Sequence, residues 1–181
     1  MARMLWSQLR TALRERLALG IRQRVDFHQA RYRYTHEEVG RVWVAIDGHE
    51  VIQFDTASYA RRRAELSAEI RWANGLRPYG VDGWQSEYIE ADNAAEEILR
   101  GSGQYDDYHA LADLERYLSM SIDNALVDSS PLLRALAVLD RRTGKRRLRA
   151  MAPLETEHPF VREAYRRRCA VEGIGISTGA A

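Results

Sequence analysis

The sequence predicts an α+β fold: an N-terminal helix, a three-stranded antiparallel meander, a helix, and then a mainly α-helical C-terminal lobe. Three observations carry that reading. Apolar residues recur at helical spacing up to Leu17, alternate with polar ones between Val25 and Asp55, and return to helical spacing from Ser58 onward. Asp47-Gly48, set between two alternating runs, supplies the tight turn that an antiparallel hairpin needs.

Trp6, Leu9, Leu13 and Leu17 line one side of the first helix, with Arg10, Arg14 and Arg16 between them and Gly20 close to its end. The start is Arg-rich and amphipathic like a transit peptide, but it has neither a continuous apolar stretch nor a small-residue cleavage pattern, so it reads as a helix of the fold. The strands read as R-V-D-F-H-Q-A-R-Y-R-Y, R-V-W-V-A-I-D and E-V-I-Q-F-D, with Val42, Val44, Ile46, Ile52 and Phe54 forming the buried face. Alternation sends Phe27, Gln29, Arg31 and Arg33 to one face and His28, Ala30, Tyr32 and Tyr34 to the other, and Trp43 to the face opposite Val42 and Val44. One face is then core and the other meets protein.

A helix over 58–72 turns Tyr59, Leu66 and Ile70 inward. N-G-L-R-P-Y-G-V-D-G-W then breaks regular structure and marks a seam between an α/β lobe, 1–75, and a helical lobe, 76–181, packed against it as one compact unit. Further helices are expected from about Asp92, from Asp107 to Leu118, after Ser130-Pro131 and after His158-Pro159, with 173–181 as a frayed tail. The segment 133–151 suits either a hairpin turning at Thr143-Gly144 or one helix, and its Ala, Leu and Arg content favours one helix.

With 45% apolar and 29% charged residues, the chain has material for a core and no signature of disorder. No apolar run reaches membrane-span length, and the single cysteine, Cys169, forms no internal disulfide; the expectation is a cytoplasmic protein without a membrane partner. The basic residues are 26 Arg and one Lys, a ratio that fits GC-rich coding better than any electrostatic need. Charge is unevenly placed: +4 over residues 1–75, −9 over 76–128 and +6 over 129–181. Blocks of that order can neutralise one another in the fold.

W-S-Q-L-R, R-V-D-F-H-Q-A-R-Y-R, G-R-V-W-V-A-I-D-G and R-A-L-A-V-L-D-R-R-T-G-K-R-R-L together resemble a family of small uncharacterised bacterial proteins. The resemblance runs from Trp6 to about Glu172 and implies a bacterial cytoplasmic protein in which the strand block and the Arg-rich block form one unit. It implies no activity, cofactor or catalytic residue.

The chemistry-bearing clusters mostly have structural explanations. Asp106, His109 and Asp113 share a helix side, but one turned away from Leu111, Leu114 and Leu118 and so toward water. Asp47 to Glu50 and His36 to Glu38 are polar loops, and Ser129-Ser130 are better caps than nucleophiles. Cys169 beside Arg166, Arg167 and Arg168 reads as a passive thiol. The chain has no H-E-x-x-H, C-x-x-C or phosphate-loop motif, so no metal ligand, cofactor or catalytic residue is assigned.

Arginine clusters come nearest to a functional signal. Arg61, Arg62 and Arg63 stand where the helix dipole disfavours cations, which marks either an anion site or a contact with the acidic block. The expectation is a non-catalytic protein-binding module of accessory or inhibitor type, with a protein partner or a second copy of itself. Its contact residues are drawn from Arg31, Tyr32, Arg33, Tyr34, Trp43, Arg61, Arg62, Arg63, Trp84, Arg141, Arg142, Arg146 and Arg147. The alternative is a nucleic-acid-binding protein using Arg31, Tyr32, Arg33, Tyr34 and the C-terminal arginines; the third is a metal-dependent enzyme centred on His28, His109 or Asp113.

Overall fold

Leu9 and Leu13 anchor the first helix, α1 (Trp6–Arg16), into the core, and Leu17 follows them at its end. The computed structural model describes residues 4–32, 39–76, 86–151 and 156–175. Three strands follow, β1 (Val25–Tyr32), β2 (Val39–Ile46) and β3 (His49–Asp55), in an antiparallel sheet of order β1-β2-β3. The hairpin turns on Asp47 (φ 55°) and Gly48 (φ 77°), both left-handed, as a two-residue turn matched to strand twist requires. The face predicted to be buried is buried: Val42, Val44, Ile46, Ile52 and Phe54 are each at most 9% exposed, and Phe27 joins them.

The helices are α2 (Thr56–Ala73), α3 (Ser86–Gly101), α4 (Asp107–Ser119), α5 (Ile122–Leu126), α6 (Pro131–Leu139), α7 (Lys145–Ala150) and α8 (Pro159–Glu172). Asp55 caps α2 by accepting from the Ser58 amide, and Asp106 caps α4 by accepting from the His109 amide. One hydrophobic cluster holds residues of α1, the sheet, α4, α6 and α8 together. Close approach is enforced at Gly40 of β2, where an added Cβ would overlap the buried Asp107 carboxylate.

Three expectations need correction. The helix expected from Asp92 begins at Ser86, because Tyr88 and Ala91 belong to the same buried stripe as Ala95 and Leu99. Tyr59 packs half-buried against the core as expected, but Leu66 and Ile70 do not join that cluster, and the buried residue of α2 is Ser67, which donates to Asp92 of α3.

The larger correction is at 133–151, which is neither one helix nor a hairpin. Helix α6 stops at Leu139 and α7 starts at Lys145. The cause is Asp140, fully buried, whose carboxylate accepts from the Tyr117 hydroxyl at 2.6 Å, the Arg142 amide at 2.7 Å and the Arg142 guanidinium at 2.8 and 3.0 Å. Those bonds hold Asp140 extended (ψ 142°), and the Thr143 hydroxyl donates to the Ala137 carbonyl at 2.6 Å. The extended stretch pairs with the exit of α1: Leu17 bridges Asp140, the Ala18 amide donates to Leu139 at 3.0 Å, and the Arg141 amide donates to Arg16 at 2.9 Å.

Candidate binding face

Strand alternation leaves the outer sheet face to Asp26, His28, Ala30, Arg41, Trp43, Glu50 and Gln53. Register places His28 opposite Trp43, and Trp43 opposite Gln53. The His28 and Trp43 rings stack with centroids 4.9 Å apart and planes 10° from parallel. The Arg41 guanidinium lies 4.8 Å from the Trp43 ring centroid, while its Nε donates to Gln53 at 2.9 Å and its Nη2 pairs with Glu50. An aromatic pair therefore spans β1 and β2, held in place by a charged side chain that is itself tethered.

Ion pairs rim these two rings. Arg10 of α1 donates from Nη2 to both Asp26 oxygens at 2.7 and 2.8 Å and from Nε at 3.2 Å, with Arg14 at 3.5 Å and His28 Nε2 at 3.8 Å from the same carboxylate. Burial pushes the Asp26 pKa up, but the bond from Arg10 and the Phe27 amide, with the charges of Arg10 and His28, outweigh it and hold the group below the ordinary carboxylate value. At the hairpin end Asp47 takes Arg24 and Arg167, each at 2.6 Å, and its pKa falls through the Arg24 bond first. Between the two rims lies a groove of about 570 Å³ with Arg14, Arg24, Asp26, His28, Trp43 and Glu50 in its walls and floor. Its charges are paired before any ligand arrives, so it offers an apolar, aromatic floor inside a neutralised polar rim.

The other predicted contact residues are scattered. Arg31 and Tyr32 are exposed at the end of β1, Tyr32 at 48%. Arg33, Tyr34 and Trp84, with Tyr79 and the His36–Glu38 loop, lie outside the described residues. Arg62 pairs within its own helix with Glu65 at 3.2 Å, and Arg63 reaches Glu96 of α3 at 4.0 Å, so part of this cluster meets the acidic block; Arg61 is exposed. Arg71 to Asp92 joins the same two blocks, and Arg147 to Asp123 ties the C-terminal basic block to the acidic one. Arg142 is occupied by Asp140, while Arg141 and Arg146 are exposed.

Asp106, His109 and Asp113 do not share a water-facing side. Asp106 binds the His109 amide and Nδ1, whereas Asp113, only 14% exposed in its side chain, accepts from Arg116 and from the buried Tyr105 hydroxyl at 3.1 Å. Tyr105 also meets the Ser130 hydroxyl at 2.8 Å, which is why Ser130 stands at the N-cap of α6 without making a side-chain cap bond. Burial, then the Asp113 charge, drives the Tyr105 pKa upward, so this phenol stays protonated. Among the described residues no group of three or more His, Cys, Asp or Glu is placed to hold a metal ion. Cys169 is fully buried, and that burial raises its thiol pKa despite the Tyr165 bond and the Arg168 charge. None of the described helices is long and apolar enough to cross a membrane.

Sequence reasoning placed Trp43 on the outer face but missed its partners. Arg10, Asp26 and Glu50 carried no signal, because their roles arise from register and from where α1 packs. No curated protein and no solved structure matches this chain. The model of the SF0329 protein family matches residues 5–169, spanning α1 through most of α8, and the chain therefore belongs to the SF0329 protein family.

Proposed function

We propose that this chain is a non-catalytic protein-binding module of the bacterial cytoplasm, accessory or inhibitory in type, whose contact surface is the outer face of β1 and β2 centred on Trp43. The observation that carries the reading is the His28–Trp43 stack at the floor of a groove rimmed by internal ion pairs. Interfaces draw most of their energy from a few anchors rich in Trp, Tyr and Arg, surrounded by contacts that exclude water and add little energy themselves. A neutralised rim of this kind suits a polypeptide better than a polyphosphate, whose binding requires unpaired cations.

The test is a photo-crosslinking amino acid placed at Gln23, an exposed residue on the groove, and in parallel at Val127, 81% exposed on another surface. In cells, adducts are expected at Gln23 and not at Val127, sensitive to protease, resistant to nuclease and lost with Trp43→Ala. Adducts that nuclease removes, or that persist in Trp43→Ala, overturn the proposal. Nuclease-sensitive adducts would favour the nucleic-acid reading, for which the unpaired, exposed Arg31, Arg141 and Arg146 are the supporting observation among the described residues.

A further inference from the structure

Strand β1 stands at one edge of the sheet. In an antiparallel pair the backbone groups of alternate residues bond to the neighbouring strand, and those between them point away. Two bonds fix the phase here. The Asp47 amide donates to the Arg24 carbonyl at 2.7 Å, which places residue 24, and with it 26, 28, 30 and 32, among those bonded to β2. The Phe27 amide donates instead to the Asp26 carboxylate at 3.0 Å, so it faces the open edge. Gln29 and Arg31 share its phase, and among the described residues neither backbone amide nor carbonyl of these two has a partner beyond β1. Asp26 and the α1 arginines block the edge at Phe27; among the described residues the stretch from Gln29 to Arg31 is open.

An open edge takes another strand. We propose that the occupant is a second copy of this chain, with β1 pairing antiparallel to its counterpart about a twofold axis through Ala30. Three registers bring outward-facing residues together, and two fail. Centring on Gln29 sets Arg31 against the Phe27 amide that Asp26 already caps, and centring on Arg31 opposes two like charges directly. Centring on Ala30 pairs Gln29 with Arg31 twice and uses all four open donors and acceptors on each pair of chains. It sets Ala30 against Ala30 at a site without hydrogen bonds, where strands approach most closely and a small side chain fits. On the outer face it opposes His28 to the exposed Tyr32 of the second copy, carrying the Gln53–Trp43–His28 row onto a fourth strand. Trp43 lies a strand away from the axis, while the second copy's Tyr32 adjoins the groove at His28.

Sedimentation equilibrium of the full chain across a concentration series is expected to show a reversible dimer of twice 20.8 kDa. Ala30→Glu and Ala30→Lys are each expected to be monomeric, with unchanged circular dichroism, and to form a heterodimer when mixed. Ala30→Cys is expected to cross-link to itself under mild oxidation, since directly opposed residues at such a site satisfy disulfide geometry, while Val127→Cys does not. A chain monomeric throughout the series, a dimer that Ala30→Glu leaves intact, or charge variants that do not recombine would each overturn the proposal.

Discussion

Asp140 supports the join between the first helix and the C-terminal helices, and removing its carboxylate is the sharpest test of how the fold is held. In Asp140→Ala, the buried Tyr117 hydroxyl loses its acceptor and Arg142 loses its ion partner together with the bond to its amide. Breaking a buried charged pair by deleting one member costs about 3–5 kcal/mol, against a total stability of roughly 5–15 kcal/mol. For a chain of 181 residues that corresponds to a fall in Tm of roughly 10 °C. Tyr117→Phe alone removes one charge-assisted bond and is expected to cost about 1–2 kcal/mol. The double variant is the decisive comparison. Once Asp140 is gone the Tyr117 hydroxyl is a buried group without its acceptor, so deleting it adds little, and the pair costs less than its two parts by about 1 kcal/mol or more. Urea unfolding followed by tryptophan fluorescence measures all three. A loss below about 1 kcal/mol for Asp140→Ala, or strict additivity, would refute the claim that this carboxylate organises the join.

Gly40→Ala is expected to destabilise by about 1–3 kcal/mol, because the new methyl overlaps the Asp107 carboxylate held by Thr56; the urea midpoint reads it. His158 caps α8 by accepting from the Phe160 amide, and burial first, then the Arg134 charge, lowers its pKa below 6.5. Between that lowered value and 6.5 the unfolded chain binds more protons, so the contribution is full above 6.5 and is lost as pH falls through the folded value. The urea midpoint of the native chain is expected to drop across that window, and that of His158→Gln to drop less; parallel curves would contradict the assignment. Arg10→Gln leaves Asp26 with weaker partners and is expected to raise its carboxyl pKa toward the ordinary range, as carbon-detected NMR titration of the Asp26 carboxyl would report.

What was legible in the sequence follows from how local each signal is. The meander was readable because period-two burial and the Asp47-Gly48 turn are properties of adjacent residues, and the outward placement of Trp43 came with them. The break at Asp140 was not, because Tyr117 and Leu17, which fix it together with the neighbouring Arg142, are distant in sequence, while the local composition is that of a helix. For the same reason Asp113 looked solvated: its helix position is polar, but Tyr105 from the preceding loop closes over it. Arg61 to Arg63 posed a sound question, and Glu96 on α3 supplies part of its answer. The candidate binding face combines both kinds of information, an aromatic residue visible by alternation and partners chosen by strand register and helix packing.

Trp43 is proposed to anchor a partner polypeptide on the outer sheet face. The most direct test is the affinity of the partner isolated through the Gln23 crosslink, measured by calorimetry against the native chain, Trp43→Ala and Val127→Ala. Loss of an interface anchor is expected to weaken binding at least roughly tenfold for Trp43→Ala, with Val127→Ala unchanged. Equal affinities for the native chain and Trp43→Ala, in a variant whose circular dichroism is native, would contradict the account.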